Sequence, residues 1–177
     1  MESMSETLII NFKHPLIQQA DFLEQVRGIF FESSSKKDFK NLQEKNEFEW
    51  KYFGFYLGHY PEYAWVAIEN DKVLGYVLGM PWTQDPTLYE IQPHLKAFEN
   101  FYPEFPAHLH INCHSQSRGK GIGKILVQKC LGQMSANNIC GLHIMTGPAS
   151  ENRLFYQKLG FNFVKELNSI LFMGIRI

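Results

Sequence analysis

Arg118-Gly119-Lys120-Gly121-Ile122-Gly123-Lys124 places three glycines and three cations between an alternating run and a helical stripe. Glycine lacks the Cβ that would hold a phosphate away from the main chain, and the N–H groups that open a helix form an anion site. Lys120 and Lys124 add positive charge at the rim. A mononucleotide phosphate loop needs Ser or Thr after its Gly-Lys pair, whereas Gly123-Lys124 is followed by Ile125, so the hydroxyl for magnesium is missing. The dinucleotide fingerprint near the chain start is missing as well. An ordinary tight turn with solvated lysines would use the same glycines, so the loop alone leaves two readings open.

Other side chains can move protons. In the run 108–113, His108, His110 and Asn112 fall on one face and Leu109, Ile111 and Cys113 on the other. An imidazole with a reference pKa near 6.5 can accept a proton at neutral pH, although buried histidines also serve as hydrogen-bonded structural residues. A phenol such as that of Tyr156 has a reference pKa near 10, stays protonated at pH 7 and can donate; packing beside Phe155 is its other reading. His108-x-His110 finds no third ligand on its face, so no metal is expected. Cys113 lies with the apolar residues, where a thiol is inert. Glu99, Glu104 and Glu151 are alternative bases acting through a water.

These residues need elements to hold them. Residues 8–12 form an apolar run that stops at His14-Pro15, which predicts a strand, and three- and four-residue spacing predicts a helix over 21–31. Residues 39–57 carry aromatics among charges and predict one helix or two short ones, packed in the core or walling a substrate. The runs 63–69 and 73–80 flank Asn70-Asp71-Lys72 and predict a hairpin. The segment 81–106 is rich in proline and aromatics, with a short helix over 88–98 broken at Pro93. Then come strand 108–113, the glycine loop, a helix over 122–134, strand 141–146, a helix over 151–159 capped by Ser150, and strands over 161–164 and 170–177.

Composition narrows the class. The chain of 177 residues, 45% hydrophobic and 20% charged, fits a single globular domain over 1–177. Seventeen basic against 18 acidic side chains give a net charge of -1, so no field favours nucleic acid. Cys113, Cys130 and Cys140 match neither a disulfide framework nor a C-x-x-C site and read as reduced thiols in the cytoplasm. The first seven residues hold no basic region, and no run of 18 apolar residues occurs, so neither a signal peptide nor a membrane span is expected.

Two motifs in order carry a family resemblance. Arg118, Gly121 and Gly123 fit Arg/Gln-x-x-Gly-x-Gly/Ala, and Asn152-Arg153-Leu154-Phe155-Tyr156-Gln157-Lys158-Leu159-Gly160-Phe161 holds a Phe-Tyr leading into Leu-Gly-Phe. Together they resemble the GNAT superfamily of N-acetyltransferases over residues 108–164. The stretch 104–112 is similar to the acetyltransferase-like domains attached to O-GlcNAc hydrolases and their stand-alone bacterial relatives, which often have aspartate where this chain has Asn112.

The resemblance implies an α/β (α+β) fold, with a central mixed, mostly antiparallel sheet flanked by helices and splayed at an acetyl-CoA site. It implies that the pyrophosphate meets Arg118 and the main chain of Gly119, Lys120, Gly121, Ile122, Gly123 and Lys124. The pantetheine would pair with Ile111 and Cys113, and Asn152 would contact CoA, although some relatives place that asparagine where this chain has Ala149. Tyr156 becomes the acid that protonates the thiolate, and His110 or His108 the base. The implied reaction is direct attack by an amine, in a ternary complex, on acetyl-CoA as cosubstrate. The aromatic helix and the 81–106 segment would enclose a small-molecule acceptor, and the strand around 171–175 could pair across a homodimer. Asn112 and the lack of an obvious base support the other reading, a catalytically silent acyl-CoA-binding or interaction domain.

Overall fold

A computed structural model describes residues 6–177; of the polar opening, residues 1–5 lie outside the described residues. In chain order the strands are β1 (Leu8–Asn11), β2 (Ala64–Glu69), β3 (Lys72–Met80), β4 (Ala107–Cys113), β5 (Gly141–Thr146), β6 (Phe163–Leu167) and β7 (Ile170–Arg176). The helices are α1 (Ala20–Ser33), α2 (Leu42–Glu49), α3 (Phe55–His59), α4 (Pro86–Ile91), α5 (Ile122–Ala136) and α6 (Asn152–Lys158). The seven strands take the order β1-β2-β3-β4-β5-β7-β6. β4–β5 is a parallel pair, while β1–β2, β2–β3, β5–β7 and β6–β7 are antiparallel, which is the mixed, mostly antiparallel sheet expected.

The described residues divide into two compact units, the first comprising residues 6–79 and 111–130 and the second residues 80–110 and 131–177. In the first unit, Asn70 and Asp71 take φ of 49° and 57°, the left-handed pair that closes a two-residue hairpin between β2 and β3. α1 buries Phe22, Val26, Ile29 and Phe30, the stripe its spacing predicts. Arg27 on α1 grips Glu49 at the end of α2 with two parallel bonds, Nε to Oε1 at 2.6 Å and a terminal guanidinium nitrogen to Oε2 at 2.9 Å. A π-helical turn, Trp50–Gly54, joins α2 to α3. Phe30 and Phe53 are buried, whereas Phe31, Phe39, Phe48 and Tyr52 are half-buried. Lys45, Lys36 and Lys51 lie over the rings of Phe31, Phe39 and Tyr52.

In the second unit, Phe98, Tyr102, Phe105 and Phe172 form a buried cluster with Phe101, Met145 and Phe163 packed on it. The 81–106 segment supplies much of this cluster: Asp85 caps α4 by accepting from Leu88 N at 3.0 Å, and Pro93–Phe101 follows as a 3-10 helix beginning at the expected break. Asn168 and Ser169, at φ 52° and 59°, close the hairpin of β6 and β7. Two expectations change. Ser150 is not the residue at the N-cap of α6, which is Glu151, yet its hydroxyl still accepts from Asn152 N at 3.3 Å. β7 is flanked by β5 on one edge and β6 on the other, so its backbone is already paired and that strand cannot zip across a dimer.

All three thiols are free, with Cys130 buried, Cys113 half-buried and Cys140 exposed. Among the described residues no helix is long and apolar enough to cross a membrane. Gly141 opens β5 where a Cβ would collide with the Glu104 carbonyl oxygen, while Gly132 on α5 has nothing within 4 Å of that position. Gly141→Ala should therefore cost about 2 kcal/mol or more and lower the melting midpoint by roughly 4 to 8 °C. Gly132→Ala should raise it by up to roughly 3 °C through helix propensity alone. Paired thermal melts check both.

Candidate active site

The main chain at the end of β4 is set by its neighbour β3. His114 N donates to Leu74 O at 2.9 Å, so the groups of Asn112 and His114 face β3 and strand alternation turns those of Ile111 and Cys113 to the opposite edge. A Cβ on Gly75 would sit 2.8 Å from Asn112 O and 2.9 Å from Cys113 Sγ, so only glycine allows this approach. Asn112 Nδ2 donates to Tyr76 Oη at 2.8 Å, and burial pushes the Tyr76 phenol well above its ordinary range. The Cys113 thiol is raised to about 11 by burial, against the pull of Arg118, which leaves it protonated at neutral pH and unsuited to carry an acyl group.

A tight turn, Ser115–Ser117, follows. His114 caps it, its Nδ1 accepting from Gln116 N at 3.3 Å, while Ser117 N donates to His114 O at 2.9 Å. Gly119 and Gly121 then take φ of 78° and 81°. Both positions are open, so the need for glycine there is the left-handed backbone, not crowding. α5 begins at Ile122, which is buried, and Ile125 N reaches back to Gly121 O at 3.2 Å. The earlier N–H groups of this first turn are those a helix leaves for an outside acceptor, beside the exposed Arg118 and Lys124. Lys120 lines a cleft of about 920 Å³ together with His114 and the α1 residues Gln25, Gly28 and Glu32.

The second unit holds the histidines. The β4–β5 ladder has two rungs, Ala107 with Leu142 and His108 with His143, although β5 runs on to Thr146, and His110 lies past the last rung. His108 Nδ1 and Thr83 Oγ1 share a hydrogen bond of 2.7 Å, and Thr83 is held by its own N donating to Pro106 O at 2.8 Å. His143 Nδ1 donates to Phe105 O at 2.8 Å, which fixes its tautomer. Its ring is stacked with Tyr102 at 5.2 Å and Phe172 at 4.4 Å, and its Nε2 is buried with no hydrogen-bond partner among the described residues. The His108 ring is 5.5 Å from both His110 and His143.

On these strands His108 and His143 are buried, and His110 and Asn112 are half-buried. Burial, with His94 adding repulsion, lowers His110 to about 4; burial lowers His143 to about 3 and His108 well below 6.5. All three imidazoles are neutral at pH 7. Of the alternative bases, Glu104 is engaged by Arg176, and Glu99 and Glu151 are exposed. Tyr156 on α6 is buried, with its ring edge against Phe155 at 5.1 Å and Phe161 at 5.3 Å; Asn152 opens the same helix and is exposed. Gly160, at φ 98°, ends that turn. Among the described residues no three His, Cys, Asp or Glu side chains are placed to hold a metal.

Ile111, Cys113 and residues 118–124 thus belong to the first unit, and His108, His110, Asn152 and Tyr156 to the second. Thr83 and His143 were not singled out from the sequence. The one local sign was a histidine inside the apolar run 141–146; Thr83 had none.

Residues 61–163, more than half of the chain, match the family model of the acetyltransferase (GNAT) domain. No curated protein matches the sequence. Among solved structures, SsHAT is 20% identical with a TM-score of 0.74, over 97% of this chain and 98% of that one. The N-acetyltransferase of Staphylococcus aureus Mu50 is 14% identical with a TM-score of 0.64, over 97% and 99%. The PaiA N-acetyltransferase of Thermoplasma acidophilum, in complex with coenzyme A, is 13% identical with a TM-score of 0.63, over 97% and 99%. At these identities the likeness is one of fold.

The lowered histidines make stability depend on pH. Folded-state values below 6.5 mean that their contribution is complete above pH 6.5 and is lost as pH falls, because the unfolded chain takes up the protons first. Each should cost about 2 kcal/mol between pH 8 and pH 5. His143→Phe keeps the stack with Tyr102 and Phe172, and should reduce the pH-dependent loss by about 2 kcal/mol whatever it does to stability at pH 8. Denaturant melts at the two pH values read the difference; an unchanged slope would mean that His143 does not titrate this way.

Proposed function

The chain belongs to the GNAT acetyltransferase family, and from that premise we propose that it transfers acetyl from acetyl-CoA to the amine of a small molecule, by direct attack in a ternary complex. Acetyl-CoA is the cosubstrate of this family. The observation that carries the reading is the left-handed turn at Gly119 and Gly121 leading into the N-terminus of α5. That turn suits the pyrophosphate, with the main chain of residues 119–124 as donors and Arg118, Lys120 and Lys124 as neighbouring cations. Ile111 and Cys113, with main-chain groups turned away from β3, are the proposed partners of the pantetheine, and Asn152 a contact at the start of α6.

In the proposed reaction the amine lone pair forms a C–N bond to the thioester carbonyl carbon, and the C–S bond breaks. Tyr156 gives a proton to the departing thiolate, and His110 or His108 takes one from the attacking nitrogen. Both imidazoles are in the neutral form that this task needs, because burial lowers their basicity. The acceptor is proposed to be small and to use the aromatic 39–57 segment and the 81–106 segment, and the free thiols suit the reducing cytoplasm. The same lowered basicity favours one second reading, a catalytically silent acyl-CoA-binding domain.

A thermal melt with acetyl-CoA, CoA and Mg-ATP in parallel tests the site. At 100 times its dissociation constant a ligand adds about 2.7 kcal/mol, so CoA species should raise the midpoint by roughly 5 to 10 °C and Mg-ATP should not. Tyr156→Phe should lower kcat about 100-fold or more while leaving the CoA shift in place. A CoA shift without turnover on any amine of a broad panel would favour the silent domain, and no CoA shift would end both readings.

A further inference from the structure

The cofactor loop does not hang on its glycines alone. Glu32, in the last turn of α1, lies 83 residues before Ser115 in sequence and yet accepts from Ser115 N through Oε1 at 3.3 Å. Its Oε2 is 3.8 Å from His114 Nε2. Because His114 Nδ1 accepts from Gln116 N, the neutral ring carries its proton on Nε2, the nitrogen that faces Glu32. The Ser115 hydrogen bond, then the nearby His114 and Arg118, hold the Glu32 carboxyl below its usual range. The turn 114–117 is thus pinned from three sides: by Leu74 O on β3, by the His114 ring and by α1.

Arg118 and the two left-handed glycines come directly after this turn. Glycine has the most backbone freedom to lose, so a loop holding two of them binds an anion well only if its base is already fixed. The same face of α1 has a matching contact seven residues earlier: Gln25 Nε2 donates to Asp71 O at 3.2 Å, and its Oε1 accepts from Val73 N at 2.8 Å. Gln25 therefore ties α1 to the β2–β3 hairpin as Glu32 ties it to the cofactor turn.

We propose that Glu32 is a positioning residue for the cofactor loop: by taking the Ser115 N–H and facing His114 Nε2–H, it fixes the turn from which Arg118 and the main chain of residues 119–124 meet the pyrophosphate. The assignment rests on the reading of 118–124 as the CoA pyrophosphate site. The Glu32 side chain is 37% exposed, so solvent screens the contact and the effect is modest.

Calorimetric titration of acetyl-CoA into the full chain tests it. Glu32→Ala should weaken affinity about 3- to 10-fold, and Glu32→Gln, which keeps an acceptor for Ser115 N, should recover most of it. Gln25→Ala removes two bonds from the same helix and should leave affinity within about twofold. Unfolding midpoints of the three variants show that each is folded. Unchanged affinity in Glu32→Ala would overturn the inference, as would an equal loss in Gln25→Ala, which would point to general loosening of α1. A parent chain that does not bind acetyl-CoA would overturn the reading of the loop and this inference with it, an outcome distinct from a binding parent and an indifferent Glu32→Ala.

Discussion

A polar side chain taken out of water on a strand must find a partner inside the protein, since each orphaned group costs about 1 to 3 kcal/mol. β4 carries His108, His110 and Asn112 on one face, and much of the surrounding chain answers to that demand. Thr83 meets His108 and is itself held by the Pro106 carbonyl, so the two ends of a long proline-rich segment are tied together beside the strand. Tyr76 meets Asn112, and reaches it because Gly75 lets β3 come close. A segment that looks like an insertion between a hairpin and a strand is, in these terms, a source of hydrogen-bonding partners and core aromatics.

The same shielding divides the chemistry between main chain and side chain. Recognition of an anion at the Gly119–Gly121 turn relies on backbone sign and helix-terminal N–H groups, which many sequences can supply. Proton movement relies on individual groups, and there burial leaves the imidazoles neutral and the Cys113 thiol intact. His143 departs from the general satisfaction of polar groups: its Nδ1 is paired, its Nε2 is not, and two aromatic faces hold the ring in place. The stack compensates part of that cost through dispersion and ring contact.

The features readable in advance were local ones. Asn70-Asp71 and Asn168-Ser169 announce hairpins because few residue types tolerate two left-handed positions in succession, and Gly160 announces a helix end for a similar reason. Helical spacing in α1 and α5 and the loop glycines follow from short-range geometry, so they were visible too. Thr83, Glu32 and His143 depend on contacts 25 to 83 residues away, or on which strand lies opposite, and no window of sequence encodes that. The interior position of β7 was missed for the same reason: an apolar strand reads alike at the edge of a sheet and within it. Alternation along β4 shows that His108, His110 and Asn112 share a face, but not that His108 is buried under Thr83 while His110 and Asn112 stay half-buried.

The graded burial of the three cysteines has a practical consequence. Thiol reagents attack the thiolate, and burial holds Cys113 and Cys130 protonated, at about 11 and about 12, while also limiting access to them. Cys140, exposed at the start of β5, is left as the accessible sulfur. The natural chain therefore offers one attachment point for a maleimide dye or spin label, next to the strand that carries His143 and without a cysteine-free background having to be built first.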